Sequence, residues 1–131
     1  MRQEIIDYIE GLSLGSFILS SELPWSESGT SLYTKNIKRI YVSNTEYSTE
    51  SIITTLNGLH IDNQTTSVRI FFSTDAKQLP ADYDELVGQL ILAKNITSVP
   101  GVTTRTSSVS TEITNDLLTT ELEIRFTKLL N

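Results

Sequence analysis

The sequence predicts an α+β fold: a mostly antiparallel β-sheet with a main helix over about 80–94 packed on it, an N-terminal helix, and a C-terminal β-hairpin. Three observations predict it. Two runs in the second half alternate apolar and polar residues with the period of a half-buried strand. Between them lies one stretch with apolar residues at helical spacing. Ser and Thr make up about a quarter of the chain, which favours polar sheet faces over long helices. The 131 residues, 38% hydrophobic and 20% charged, suffice for one compact core and a single domain over 1–131.

The N-terminal segment sets Ile5, Ile6, Ile9 and Leu12 on one helical stripe, until Gly11 and Gly15 weaken it. From Ser16 to Leu23 an extended segment places Phe17, Leu19 and Leu23 on one side, and Pro24 stops it. Residues Pro24 to Asn36 show no periodicity and read as a binding or closing loop. Strand character returns from Ile37 to Tyr47, with Ile40 and Val42 on one face and Arg39 and Tyr41 on the other. For Ser48 to Asp62 the reading is a helical turn capped by Thr49, running through Ile52, Ile53 and Leu56 to Asn57-Gly58, with a strand as the alternative.

Thr65 to Thr74 is a strand, because Val68, Ile70 and Phe72 alternate with Ser67, Arg69, Phe71 and Ser73. Pro80 then opens the main helix in its first turn, where a missing N–H costs nothing, and Tyr83, Leu86, Val87, Leu90, Ile91 and Lys94 form its stripe. After Pro100-Gly101 comes a strand over Val102 to Thr111 and a turn at Asn115-Asp116. In the last strand Leu118, Thr120, Leu122, Ile124 and Phe126 alternate with Thr119, Glu121, Glu123 and Arg125.

The net charge of −6 argues against a protein that wraps DNA, since phosphate neutralisation needs clustered Lys and Arg. There is no Cys, so neither a disulfide framework nor a thiolate metal site can form. Arg2, Glu4, Asp7 and Glu10 are wrong for a secretory signal, and no apolar run approaches the ~20 residues of a membrane span. A soluble protein made in the cytoplasm is the expectation.

No phosphate-loop, dinucleotide, nucleophile-elbow or zinc-protease motif is present. The one histidine, His60, stands two residues from Asp62 and reads as a polar loop residue before it reads as half of a catalytic or metal pair. Asp75, Asp82, Asp84 and Glu85 lack the spacing of a calcium loop and suit the start of the helix. No catalytic, cofactor-binding or metal-ligating residue is therefore assigned, and the expectation is a protein that is not an enzyme.

Surfaces are the candidates instead. Trp25 and Tyr33 in the long loop are of docking type, and Lys35, Lys38 and Arg39 form the densest positive cluster, suited to a neighbour's acids. Phe71 beside Arg69 joins an aromatic to an arginine on an outward face, either as an interface centre or under cover of the N-terminal helix. Glu121, Glu123 and Arg125 form either a subunit interface or the wet face of the sheet.

The element order, with Ile37-Lys-Arg-Ile-Tyr-Val-Ser-Asn-Thr-Glu-Tyr47, Ser67-Val-Arg-Ile-Phe-Phe-Ser73, Leu79-Pro-Ala-Asp-Tyr-Asp-Glu-Leu86 and the strand Leu118 to Phe126, resembles the tail terminator, or tail-completion, proteins of long-tailed bacteriophages, lambda type. The likeness is one of pattern and order across most of the chain, and Ser48 to Asn63 departs from it. It implies a virion structural protein, assembled in the host cytoplasm, that forms a hexameric ring in the tail or neck. Its implied partners are itself, the tail tube protein and the head-closure or connector protein, with DNA passing through the lumen without sequence-specific binding. A head-closure or connector adaptor of the phage neck, or a non-catalytic protein-binding module, is the alternative. An acidic lumen would repel phosphates, and a basic inner wall would defeat that idea. A closing ring needs a heterologous interface, for which Lys35, Lys38 and Arg39 against Glu121 and Glu123 would serve.

Overall fold

Among the described residues six strands form one sheet, and two helices lie against one face of it. The computed structural model describes residues 1–12, 14–15, 17–20, 39–54, 58, 60–96, 100–114 and 116–130. In chain order the elements are α1 (Arg2–Glu10), β1 (Ile18–Ser20), β2 (Arg39–Val42), β3 (Glu46–Thr54), β4 (His60–Asp75), α2 (Tyr83–Ile91), a 3₁₀ turn (Leu92–Asn95), β5 (Val102–Thr114) and β6 (Leu117–Leu130). The strand order is β1-β2-β4-β6-β5, and β3 pairs with the same edge of β4 that β2 uses. Among the described residues only the β1–β2 pair is parallel.

The alternation in β4 and β6 decides which face is buried. Val68, Ile70 and Phe72 of β4 stand opposite Ile124, Leu122 and Thr120 of β6, and all six are buried. Ile40 and Val42 extend this face, Phe17 meets Phe72 edge to face, and Ile5, Ile9, Leu86 and Leu90 close it from the helices. Fully burying a side chain such as Phe72 stabilises the fold by about 2–3 kcal/mol. Two polar contacts tie the helices down: the Tyr83 hydroxyl shares a 2.7 Å hydrogen bond with Thr120 Oγ1, and the Tyr8 hydroxyl donates to the Gln89 carbonyl at 2.7 Å.

The helix ends differ from expectation. α2 begins at Tyr83, and Pro80 lies outside it, its carbonyl accepting from the Tyr83 N–H at 3.1 Å. Asp82 sits at the N-cap position without a side-chain hydrogen bond to the helix, while Asp84 and Glu85 occupy the first turn, where the helix dipole favours negative charge. Gly15, at φ +60, leaves room for the Asp82 carboxylate, since a Cβ there would lie 2.1 Å from Oδ2. At the other end Arg105 of β5 donates to the carbonyls of Lys94 and Ile96 and lies 5.4 Å from the Phe126 ring centre. It thereby satisfies carbonyls that the helix end leaves open.

Three readings of the first half are corrected. The strand expected over Ile37 to Tyr47 is broken: β2 ends at Val42 and β3 starts at Glu46. In the gap Ser43 takes over the pairing, its N–H donating to the Arg69 carbonyl at 2.8 Å and its Oγ accepting the Arg69 N–H at 2.9 Å. Of the helical turn expected from Thr49 to Asn57-Gly58, the part through Thr54 is instead strand β3, paired from Glu46 with Ser67 to Thr54 with His60, while Leu56 and Asn57 lie outside the described residues. The β-branched Thr49, Ile52, Ile53 and Thr54 suit that extended backbone. Cover of Phe71 by the N-terminal helix is also excluded, because α1 packs on the opposite face of the sheet. The C-terminal hairpin forms as expected, and its turn uses Asp116 at φ 64.

Candidate functional site

The second face of the sheet carries no helix among the described residues, and the pleat directs the candidate residues onto it. Residues directly opposite one another share a face, so Arg69 with Glu123, Phe71 with Glu121, Ser67 with Arg125 and Tyr41 with Phe71 all belong here. Arg39, two residues before Tyr41, joins them by the same period and is exposed. Six of the sequence-predicted residues, Arg39, Arg69, Phe71, Glu121, Glu123 and Arg125, thus stand on one surface. Trp25, Tyr33, Lys35 and Lys38 lie outside the described residues. The His60 backbone begins β4 rather than lying in a loop, and its side chain is outside the described set.

The charges on this face answer one another within the chain. Arg69 Nε lies 3.3 Å from Glu123 Oε2 and 3.5 Å from Glu121 Oε1, and Arg125 Nε donates to Glu123 Oε1. Glu123 is held between two guanidinium groups with its side chain only 14% exposed. A neighbouring subunit's Lys35, Lys38 or Arg39 would therefore meet a carboxylate that is already paired. Phe71 stacks on Tyr41 with ring centres 6.4 Å apart and planes inclined by 29°, which accounts for the burial of Tyr41 on an otherwise polar face.

Beside this network is an open depression of about 230 Å³, walled by Glu46, Ser67, Arg69, Glu123 and Arg125. Its lining is mostly polar and its acids and bases nearly balance, so it offers complementary charge to a protein surface more readily than an apolar slot to a small molecule. Sequence reading put Tyr41 on the outward face with Arg39, as found, but missed Glu46 and the stacking of Tyr41 on Phe71. Only the register of β2 and β3 on β4 brings them here, and no local signal carries that register. Among the described residues no group of three or more His, Asp or Glu is placed to hold a metal ion, and no helix is long and apolar enough to cross a membrane.

A scan against protein-family models and a search of curated proteins found no match to this chain.

Proposed function

We propose that this chain is a structural protein of a bacteriophage tail or neck, which assembles as a hexameric ring, caps the tail tube and joins it to the head connector. The reading rests on the resemblance in element order. The observation that carries it furthest is the sheet face that no described helix covers, where an arginine and glutamate network sits among Ser and Thr. Such a face is soluble in the free chain yet patterned enough to register a partner, because charge arrangement selects orientation more than it adds affinity. A head-closure adaptor, or a monomer that holds a protein in the Glu46 and Arg125 depression, uses the same face.

Electron microscopy and mass measurement of the purified protein, alone and mixed with tail tubes, separate these readings. Hexameric rings, free or seated on tube ends, are expected. Binding to connectors but not to tubes would move the assignment to the adaptor. A chain that binds neither and never forms a hexamer would overturn the ring reading altogether.

A further inference from the structure

Among the described residues the outer edge of β5 has no backbone partner, because β5 ends the strand order. A row of unpaired N–H and C=O groups is a template for another strand unless something guards it. The opposite side of the sheet is guarded. There β1 is three residues long and β3 carries Glu46 and Glu50, shortness and charge both discouraging pairing. By contrast β5 runs for 13 residues without proline, and its only charges are Arg105 and Glu112. Arg105 is turned inward to the carbonyls of Lys94 and Ile96. On the helix face of this edge Val109 is 41% exposed and Ile113 is 66% exposed.

We propose that this edge pairs with the same edge of a second copy of the chain, antiparallel, about a two-fold axis at Val109. A two-fold axis normal to the sheet keeps like faces together. Centred on Val109, it sets Val109 against Val109 and Ile113 against Arg105 on the helix face. On the open face it sets Ser108 against Ser110 and Glu112 against Thr106. The Val109 pair covers two exposed side chains. Ile113 meets the aliphatic stem of an Arg105 whose head is already fixed.

Charge selects this register over one centred on Thr111. Within one chain Thr106 pairs with Arg125, whose Nε holds Glu123 but whose side chain is 58% exposed and carries a guanidinium with five donors, enough to bridge a second carboxylate. Glu112 of one copy therefore lines up with Arg125 of the other across a small Thr106, two strand spacings or about 9.6 Å between backbones. Long side chains of opposite charge span that gap, and the symmetry makes the contact twice. An axis at Thr111 would instead face Val109 with Ile113, but it sets Glu112 against Ser110, whose own partner in β6 is Glu121. That register stacks like charges and shortens the paired stretch.

The pairing does not rest on the ring reading, since it is an isologous contact and is measured without tubes. The absence of cysteine makes the test clean. Single variants Val109→Cys, Thr111→Cys and Ile113→Cys are oxidised mildly and separated on non-reducing gels. Facing residues in an antiparallel pair have Cα atoms about 4.5–5.5 Å apart, within disulfide range. The two Thr111 positions would be about 14 Å apart and the two Ile113 positions about 28 Å apart. The expected result is a dimer from Val109→Cys at a rate at least about tenfold above the other two. Crosslinking led by Thr111→Cys overturns the register, and equal rates at all three overturn specific pairing. Sedimentation of the cysteine-free chain, without tubes and below the concentration at which rings form, gives the second reading: a dimer, shifted toward monomer by Glu112→Lys and by Thr111→Pro, since alternation along the ladder turns the Thr111 N–H to the outer edge. A wild-type chain that stays monomeric at the highest concentration reached overturns the proposal.

Discussion

Phe71 and Phe72 are neighbours in β4, yet they belong to two different kinds of surface. Phe72 points into the helix face, fully buried against Phe17 and Tyr83. Phe71 points the other way, half-buried beside Tyr41 among Ser, Thr and paired charges. One face is held by apolar area removed from water, and the other by stacking and ion pairs that keep the sheet wet and ordered. A one-residue slip of β4 would exchange the two, so the register is specified by the contrast itself.

Substitutions on the two faces should separate these contributions. The largest effect is expected from Phe72→Ala, a loss of about 3–5 kcal/mol in urea unfolding, because a closed core leaves a cavity. Phe71→Ala should cost about 1–2 kcal/mol, from lost stacking and partial burial. Equal costs for the two phenylalanines would show that the open face is covered in solution.

Tyr8→Phe removes the donor to Gln89 that joins α1 to α2, and a loss of about 1 kcal/mol is expected. This contribution should depend on pH. Burial raises the Tyr8 hydroxyl above its usual 10.0, so the fold favours the neutral form. Its contribution is full below 10.0 and is lost as pH rises through the folded value. In alkaline unfolding series the gap between wild type and Tyr8→Phe should close. A gap that persists would mean that the hydroxyl is not the group responsible.

The smallest effect is expected from Arg69→Gln, about 0.5–1 kcal/mol at low ionic strength, shrinking as salt is added. A salt-independent loss would show that Arg69 acts through packing rather than charge.

The helix face was readable because burial writes a period into the chain. Val68, Ile70 and Phe72, then Leu122, Ile124 and Phe126, alternate strictly, and α2 carries its stripe over Tyr83, Leu86 and Leu90. Where neither face is buried that signal vanishes. Residues 46–52 of β3 are exposed throughout, so alternation had nothing to mark, and a helical turn looked acceptable there. The open face was legible as a set of outward residues and illegible as a network. Arg69 meets Glu121 and Glu123 through pairing across more than fifty positions of sequence, which local spacing cannot express. That no described strand pairs with the outer side of β5 was equally hidden, since an edge strand and a central one share the same Ser and Thr alternation.

The long β4–β6 ladder also orders events in time. It joins Asp62 with Leu130 and Asp75 with Leu117, so every one of its pairs must await the return of the chain through α2 and β5. The β5–β6 hairpin closes over a two-residue turn and can form in about 1–10 μs. Folding dominated by distant pairings takes milliseconds to seconds. During that interval the hairpin waits with the β6 margin that β4 will cover still bare. The arrival of β4 hides the inner margin in the same step that assembles the core, so commitment to the native fold and protection from misassociation are a single event on the inner side of β6.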